Sequence, residues 1–286
     1  MKLFESIERF KQLFARHPLT QDDQLRAWLR MLSWQIVCRF ETEVLHEWIS
    51  GQYLSVTKGM TGATGNIYTG LHEFADMMFL LHYLRPGDLF FDIGANVGTY
   101  TVLASGVCCA QTWAFEPSPL AIEKLQKNIE VNALRGLVTI YPTAVSDSDG
   151  YGYLTVGLDT MNSIVPHSEQ TQDVPMVKLD SVASKNVPSL MKIDVEGHDE
   201  AVIRGARSIL SNQSLQALEV ETVTRTTVAV LNDHGFKQVY YDPFCRALRN
   251  VPITGYHANN LFVRDCGAVM DRLIAAEPIN ILGRSI

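Results

Sequence analysis

Phe90-Phe91-Asp92-Ile93-Gly94-Ala95-Asn96-Val97-Gly98-Thr99-Tyr100-Thr101 decides the fold of this chain. An apolar run ends in an acid, a Gly-Ala-Asn-Val-Gly turn follows, and the segment beyond can start a helix. This order predicts strand, loop and helix, the corner of an open α/β sheet on which nucleotide-like cofactors sit. The spacing excludes the dinucleotide version of that corner, whose G-x-G-x-x-G lets the backbone press against a pyrophosphate. Here the glycines are Gly94-x-x-x-Gly98, and Asp92 precedes them. A carboxylate aimed at the pocket repels pyrophosphate but suits a ligand with an ammonium and a sulfonium. The corner therefore points to S-adenosylmethionine rather than NAD.

A second acid agrees. Thr112-Trp113-Ala114-Phe115 is an apolar run that ends at Glu116-Pro117. An acid at the tip of the second strand, roughly 20 residues past the glycine turn, is placed to take both ribose hydroxyls. Ser118 then caps a helix with Pro119 in its first turn, and Leu125 and Ile129 share one face of it.

Working outward, Leu71 to Leu84 is apolar enough for a buried helix, stopped by Arg85-Pro86-Gly87-Asp88 before the first strand. Downstream, Leu137–Tyr141 reads as the third strand, Tyr151–Val156 as an extra strand, and Leu158–Val174 as a long loop that shapes the acceptor pocket. Leu190–Ile193 is the fourth strand, and Leu215–Val220, ending at Glu221, the fifth. Phe236–Tyr240 and Leu261–Val263 close the fold as a hairpin. Helices over Glu200–Leu210 and Thr226–Asp233 fall between these strands. Alternating β and α units imply a mostly parallel sheet covered on both faces.

Residues 1–60 form an N-terminal helical extension and 61–286 the main domain, with Gly51 to Gly70, rich in Gly and Thr, read as loop or short strand between them. Leu3, Ile7, Phe10 and Phe14 share one helical face, and Leu25, Leu29 and Leu32, with Trp28 alongside, mark a second helix. Either these helices pack on the main domain, or they make a homodimer surface or a lid over the substrate.

Composition narrows the function classes. The net charge of −7 disfavours a nucleic-acid partner, and no basic or aromatic-basic track is present. No apolar run approaches the ~18 residues that span a bilayer. Five cysteines without C-x-x-C spacing argue for reduced, mostly buried thiols and a cytoplasmic location, and against a zinc site.

The fourth strand delivers Asp194-Val195-Glu196-Gly197-His198 to the same sheet edge as Asp92. Strand alternation sets Asp194 and Glu196 on one side, about 7 Å apart. Asp194 is placed to steady a sulfonium or take a proton, and Glu196 to bind acceptor hydroxyls or act as base. The alternative for Glu196 is a helix cap or a pair with Lys192. His198 and His72 compete as base, and Glu73 is placed for the cofactor's ammonium end. Lys192 reads as structural, pointing away from the acids. No compact acidic motif holds a metal, although Asp194 and Glu221 end neighbouring strands and could share a hard ion.

Asp92-Ile93-Gly94-Ala95-Asn96-Val97-Gly98, Ala114-Phe115-Glu116-Pro117 and Lys192-Ile193-Asp194-Val195-Glu196-Gly197 together resemble the FkbM-type family of S-adenosylmethionine-dependent methyltransferases. Ala144-Val145-Ser146-Asp147, Asn260-Leu261-Phe262 and the entry segment Gly65 to Phe74 also fit. The resemblance covers roughly Asn66 to Asp265. His198-Asp199 departs from the aromatic-then-Glu that often follows the family's Glu-Gly. The resemblance implies a Rossmann-like, seven-stranded methyltransferase sheet with a reversed final hairpin strand. It also implies O-methylation of a sugar or natural-product hydroxyl. The expected cofactor set is Glu73, Asp92, Gly94, Asn96, Gly98, Thr99, Glu116, Ala144 and Asp194, and the expected catalytic set is Asp194, Glu196 and His198. N-methylation of a small amine, and a cofactor-binding partner subunit without catalysis, are the alternatives.

Overall fold

The computed structural model describes residues 2–155, 163–165, 170–183, 185–253 and 258–286. At its centre is an eight-stranded sheet: β1 (Leu89–Ile93), β2 (Gln111–Phe115), β3 (Val138–Tyr141), β4 (Leu190–Ile193), β5 (Ala217–Val220), β6 (Lys237–Asp242), β7 (Ala247–Arg249) and β8 (Asn260–Val263). The spatial order is β7-β6-β8-β5-β4-β1-β2-β3. The run from β5 to β3 is parallel, whereas β8 is antiparallel to both β5 and β6. The seven expected strands and the reversed final strand are therefore present, and short β7 adds an edge.

β4 and β5 are buried at every residue, as are the last four residues of β1. Central parallel strands are covered on both faces, so they need continuous apolar runs. Helix Phe74–Tyr83 is entirely buried and packs on one face with Leu190, Ala217, Val239 and Leu273. Val202, Ile203, Leu210 and Leu231 cover the other face, against Phe91, Met191 and Leu218.

The chain runs outward from β1 to β2 and β3, then returns to lay β4 on the other side of β1. That reversal leaves a crevice at the carboxyl ends of β1 and β4, the place where open α/β sheets bind ligands. Two close approaches define it. Gly94 has φ 82°, and a Cβ there would lie 1.9 Å from the Asp194 carbonyl oxygen. Gly98 has φ 87°, and a Cβ would press on Leu125 of helix Pro119–Val131. The latter helix is capped as expected, with Ser118 Oγ accepting from the Ala121 amide. The helix after the corner spans Thr99–Val102 and widens into a π turn at Leu103–Val107.

Strand Glu43–Glu47 departs from the helical reading of the N-terminal extension and helix Thr61–Thr69 from the loop or short strand expected over Gly51 to Gly70, whereas Tyr53–Thr57 is a short strand. Helices Lys2–Arg16 and Gln24–Val37 are followed by a hairpin, Glu43–Glu47 with Tyr53–Thr57, and then by helix Thr61–Thr69. The hairpin is tied down by side-chain amides that mimic backbone. Asn132 accepts from the Tyr53 amide at 2.7 Å and donates to its carbonyl at 2.8 Å, and Asn128 joins the Ser55 amide to the Val97 carbonyl. Phe14, Met31, Trp34, Leu54 and Val56 share one apolar cluster with Ala95, Val97, Leu125 and Ile129. The N-terminal segment thus packs on the cofactor corner. In the second helix Ala27, Met31 and Trp34 face inward. Leu25, Leu29, Leu32 and Ile36 face outward, at 70%, 56%, 51% and 56% exposure.

The expected loop from Leu158 to Val174 lies partly outside the described residues. Its described parts belong to a small four-stranded sheet made of Ala144–Val145, Thr171–Val177, Gly150–Thr155 and Ile164–Val165. The five cysteines are free thiols, but only Cys38 and Cys108 are buried, and Cys109 and Cys245 are exposed. No described helix is long and apolar enough to cross a membrane.

Candidate active site

A cleft of about 1010 Å³ opens at the crevice between β1 and β4. Its volume is at the upper end of the ~300–1,000 Å³ of small-molecule sites, room for a cofactor and an acceptor together. Asp92, Gly94, Asn96, Thr99, Glu116, Ala144, Asp194 and Glu73 all line it. Gly98 is not on its wall; its left-handed backbone turns the chain behind it.

The corner is closed by the backbone. Gly94 and Ala95 amides both donate to the Phe115 carbonyl, at 2.9 and 3.0 Å, which holds the loop against the tip of β2. Asn96 adopts φ 50°, a left-handed conformation that asparagine tolerates better than most residues. Its amide donates to one Glu116 carboxylate oxygen and the Ser118 amide to the other, each at 2.8 Å. Burial pushes the Glu116 carboxyl up to about 7, while the two amides pull it down. An acid held this way, desolvated at a strand tip inside a cleft, is a strong acceptor for the paired donors of a ribose. Asp92 is fully enclosed and accepts from Thr101 Oγ1 at 2.6 Å. Burial raises its pKa and Lys192 opposes the shift. These residues have the chemistry S-adenosylmethionine calls for: Glu116 could take the ribose hydroxyls, the loop backbone lies beside it, and Asp92 and Asp194 line the same cleft.

Lys192 requires a correction. Alternation was expected to turn it from the acids, yet its Nζ lies 2.5 Å from Asp194 Oδ2. Residues 192 and 194 are two apart and share a side, so the physical rule favours the pairing. Lys192 is in register with Asp92 on β1 and Glu219 on β5, an acid–base–acid row across three central strands. It also sits 4.4 Å from the Tyr100 ring centroid. Burial alone would lower its pKa, but Asp194, Glu73 and Asp92 hold it firmly protonated. Neither Glu219 oxygen has a hydrogen-bond partner among the described residues, and burial keeps that carboxyl protonated well above the usual range.

Asp194, Glu196 and Glu221 converge, with one ligand atom of each within 4.8 Å of the others. The route differs from strand alternation. β4 ends at Ile193, and the chain turns through left-handed Glu196 (φ 50°) and Gly197 (φ 86°). A non-glycine residue held there stores about 1–3 kcal/mol, a cost found mostly at functional sites. The Asp194 amide donates to Ile93 O and the Glu221 amide to Ile193 O, which sets the acid tips side by side. Asn260 Nδ2 donates to the Val220 and Glu221 carbonyls and fixes the tip of β5.

The three acids have separate protonation states. For Asp194 burial is outweighed by Lys192, so it stays ionised. Glu221 is pushed up to about 8 by burial and by the Asp194 and Glu196 charges, so at neutral pH it keeps a proton shared with Asp194. Glu196 is raised by burial and then by Asp194 and Asp199, the direction that suits a general base. Among the described residues this trio is also the sole carboxylate, His or Cys grouping with metal-ligand spacing. The sequence pairs Asp194 with Glu196 at the strand tip and Asp194 with Glu221 across neighbouring strands, but it does not place all three in one cluster.

His198 lines the cleft with its Nε2 2.9 Å from Ser146 Oγ, and burial lowers its pKa, so it is neutral. His72 is on the wall beside Gly65, just before helix Phe74–Tyr83. Glu73 is not on a solvated helix face. It begins helix Phe74–Tyr83 and accepts from Tyr100 Oη at 2.5 Å. Asp76, buried one turn later, accepts from the Ala258 and Asn259 amides.

The family model described as "Methyltransferase FkbM domain" matches residues 92–241. The 31-O-demethyl-FK506 methyltransferase FkbM of Streptomyces tacrolimicus is 27% identical over 210 residues, 58% of this chain and 80% of that protein. The hexuronic acid methyltransferase AglP of Haloferax volcanii is 27% identical over 147 residues, 49% of this chain and 59% of that protein. Among solved structures, methyltransferase FkbM from Methylobacillus flagellatus aligns with a TM-score of 0.44 at 14% identity, covering 71% of this chain and 55% of the other. With the glycine corner, the strand-tip acid Glu116 and the acid-rich tip of β4 in place, the chain belongs to the FkbM-type family of S-adenosylmethionine-dependent methyltransferases.

Proposed function

We propose that this methyltransferase acts on a hydroxyl oxygen of a sugar or natural-product acceptor. The carrying observation is the convergence of Asp194, Glu196 and Glu221 in the cleft at the tips of β4 and β5. S-adenosylmethionine supplies a methyl group already activated by the sulfonium charge. The remaining tasks are to align the acceptor oxygen, for which well-oriented positioning contributes about 7–11 kcal/mol, and to remove its proton. A hydroxyl needs that proton acceptor, whereas a neutral amine attacks without one. Glu196 is the base in this reading: its pKa is raised, it faces the cleft, and it lies next to ionised Asp194. Lys192 keeps Asp194 charged, and Asp194 with protonated Glu221 orients the acceptor. The relatives' descriptions, one naming 31-O-demethyl-FK506 and one a hexuronic acid, support an oxygen acceptor of small-molecule or carbohydrate type.

The experiment is methyl transfer from labelled cofactor into sugar and natural-product alcohols and into small amines. Glu196→Gln should lower turnover about 100-fold and leave S-adenosylhomocysteine affinity intact. Transfer only to amines, or near-normal turnover on an alcohol, refutes the reading. Loss of activity with chelator in the unmutated protein would move hydroxyl activation from Glu196 alone to a metal held by the trio.

A further inference from the structure

The charges on the cleft wall are segregated along the chain. The acids Glu73, Asp92, Glu116, Asp194, Glu196 and Glu221 all come from residue 73 onward. Apart from Lys192, which is buried and paired, the Arg and Lys residues are Arg9, Arg16 and Lys58, all from the N-terminal segment. Arg9 and Arg16 are seven residues apart on helix Lys2–Arg16 and so share a face, with Cα atoms about 10 Å apart. Lys58 follows directly on the hairpin strand Tyr53–Thr57. None of the three makes an ion pair among the described residues.

We propose that this N-terminal wall is an anion subsite: Arg9, Arg16 and Lys58 bind a carboxylate or phosphate carried by the methyl acceptor. The inference rests on the methyltransferase reading above and names the acceptor's chemical class. The acid wall suits the sulfonium and hydroxyl end of the reaction. The three cations are exposed on the cleft wall and held by water until a ligand brings in negative charge, and a cleft screens that attraction less than open water does. Three cations are too few for a nucleic-acid track in a chain of net charge −7. All three lie outside the residues 92–241 that the family model matches.

The test is calorimetry on the full chain saturated with S-adenosylhomocysteine, using glucuronate, glucose 6-phosphate, uridine diphosphate and neutral glucose as probes. At least one anionic probe should bind ten-fold or more tightly than glucose, and its affinity should fall as salt rises. The carboxylate and phosphate arms tell which anion the site takes. The triple variant R9Q/R16Q/K58Q should lose that binding ten-fold or more, while its affinity for S-adenosylhomocysteine changes less than two-fold. Equal binding of glucose and the anions, or anion binding that survives in the triple variant, overturns the subsite. A loss of S-adenosylhomocysteine affinity in the triple variant also overturns it, because the cations would then serve the cofactor's own carboxylate. Failure of the unmutated protein to bind S-adenosylhomocysteine would instead strike the methyltransferase reading itself.

Discussion

Lys192→Met removes the positive charge from the centre of the sheet and keeps an unbranched stem of similar length. The Nζ it deletes is 2.5 Å from Asp194 Oδ2 and 4.4 Å from the Tyr100 ring centroid, with Asp92 and Glu219 opposite it on the neighbouring strands. Breaking a buried pair by removing one partner costs about 3–5 kcal/mol, because the other charge is left without compensation. Asp194 retains 27% side-chain exposure, which places the effect at the lower end, near 3 kcal/mol at pH 8. With a urea slope of about 3 kcal/mol/M, that moves the unfolding midpoint by roughly 1 M. The sign of the pH dependence follows from the two groups. Lys192 has a folded pKa above its unfolded value, so its contribution is fully present throughout the neutral range and is lost only in strong alkali. Asp194 has a depressed folded pKa, so its stabilisation is present above its unfolded value and is lost as pH falls through the folded one. In the variant only the hydrogen bonds from Glu221 and Thr101 still lower Asp194 and Asp92 against burial, so the folded state binds protons that the unfolded state does not. The destabilisation should therefore shrink between pH 8 and pH 5. Urea unfolding at both pH values measures it. A variant as stable as the parent at pH 8, or a difference that stays constant to pH 5, would refute the assignment of Lys192 as the counter-ion of this acid cluster.

Other perturbations test the remaining parts of the site. Glu116→Ala should weaken S-adenosylhomocysteine by roughly 1.5–3 kcal/mol per ribose hydrogen bond lost, read by calorimetry; unchanged affinity in a folded variant removes Glu116 from the cofactor site. Gly94→Ala puts a Cβ against the Asp194 carbonyl at 1.9 Å. Thermal melting should show a lower midpoint and cofactor titration a loss of binding, and a parent-like result in both would contradict the close approach of the β1 and β4 tips. The outward stripe Leu25, Leu29, Leu32 and Ile36 repeats at intervals of four, three and four residues, the spacing of a helix-pairing seam. Light scattering of the unmutated chain is expected to give twice the monomer mass, and Leu29→Glu with Leu32→Glu the monomer; a monomer in both cases rules the seam out.

The sheet was legible because its signals are local. Continuous apolar runs ended by acids and glycine turns mark parallel strands at Asp92, Glu116 and Asp194, and Ser118-Pro119 marks a helix start. The hairpin Glu43–Glu47 with Tyr53–Thr57 was not legible. Its stabilisation comes from Asn128 and Asn132 on a helix far along the chain. The leucines of the second helix were found by period, but period alone does not say which stripe is buried; Ala27, Met31 and Trp34 took the inner side.

Residue spacing alone carried the glycine corner, the strand-tip acid Glu116, the succession of strands along the chain and the resemblance to the family. These depend on residue spacing within one strand–loop–helix unit, where backbone geometry leaves few choices. Only the tertiary structure decided the chemistry of the edge. It brought Glu196 to Asp194 and Glu221 through a left-handed turn that strand alternation does not contain. It set Lys192 between Asp92 and Glu219, and it laid the Arg9 and Arg16 helix over the cleft. Protonation states and charge complementarity depend on distance and burial between residues remote in sequence, and those are fixed only when the strands take their register and the sheet is covered.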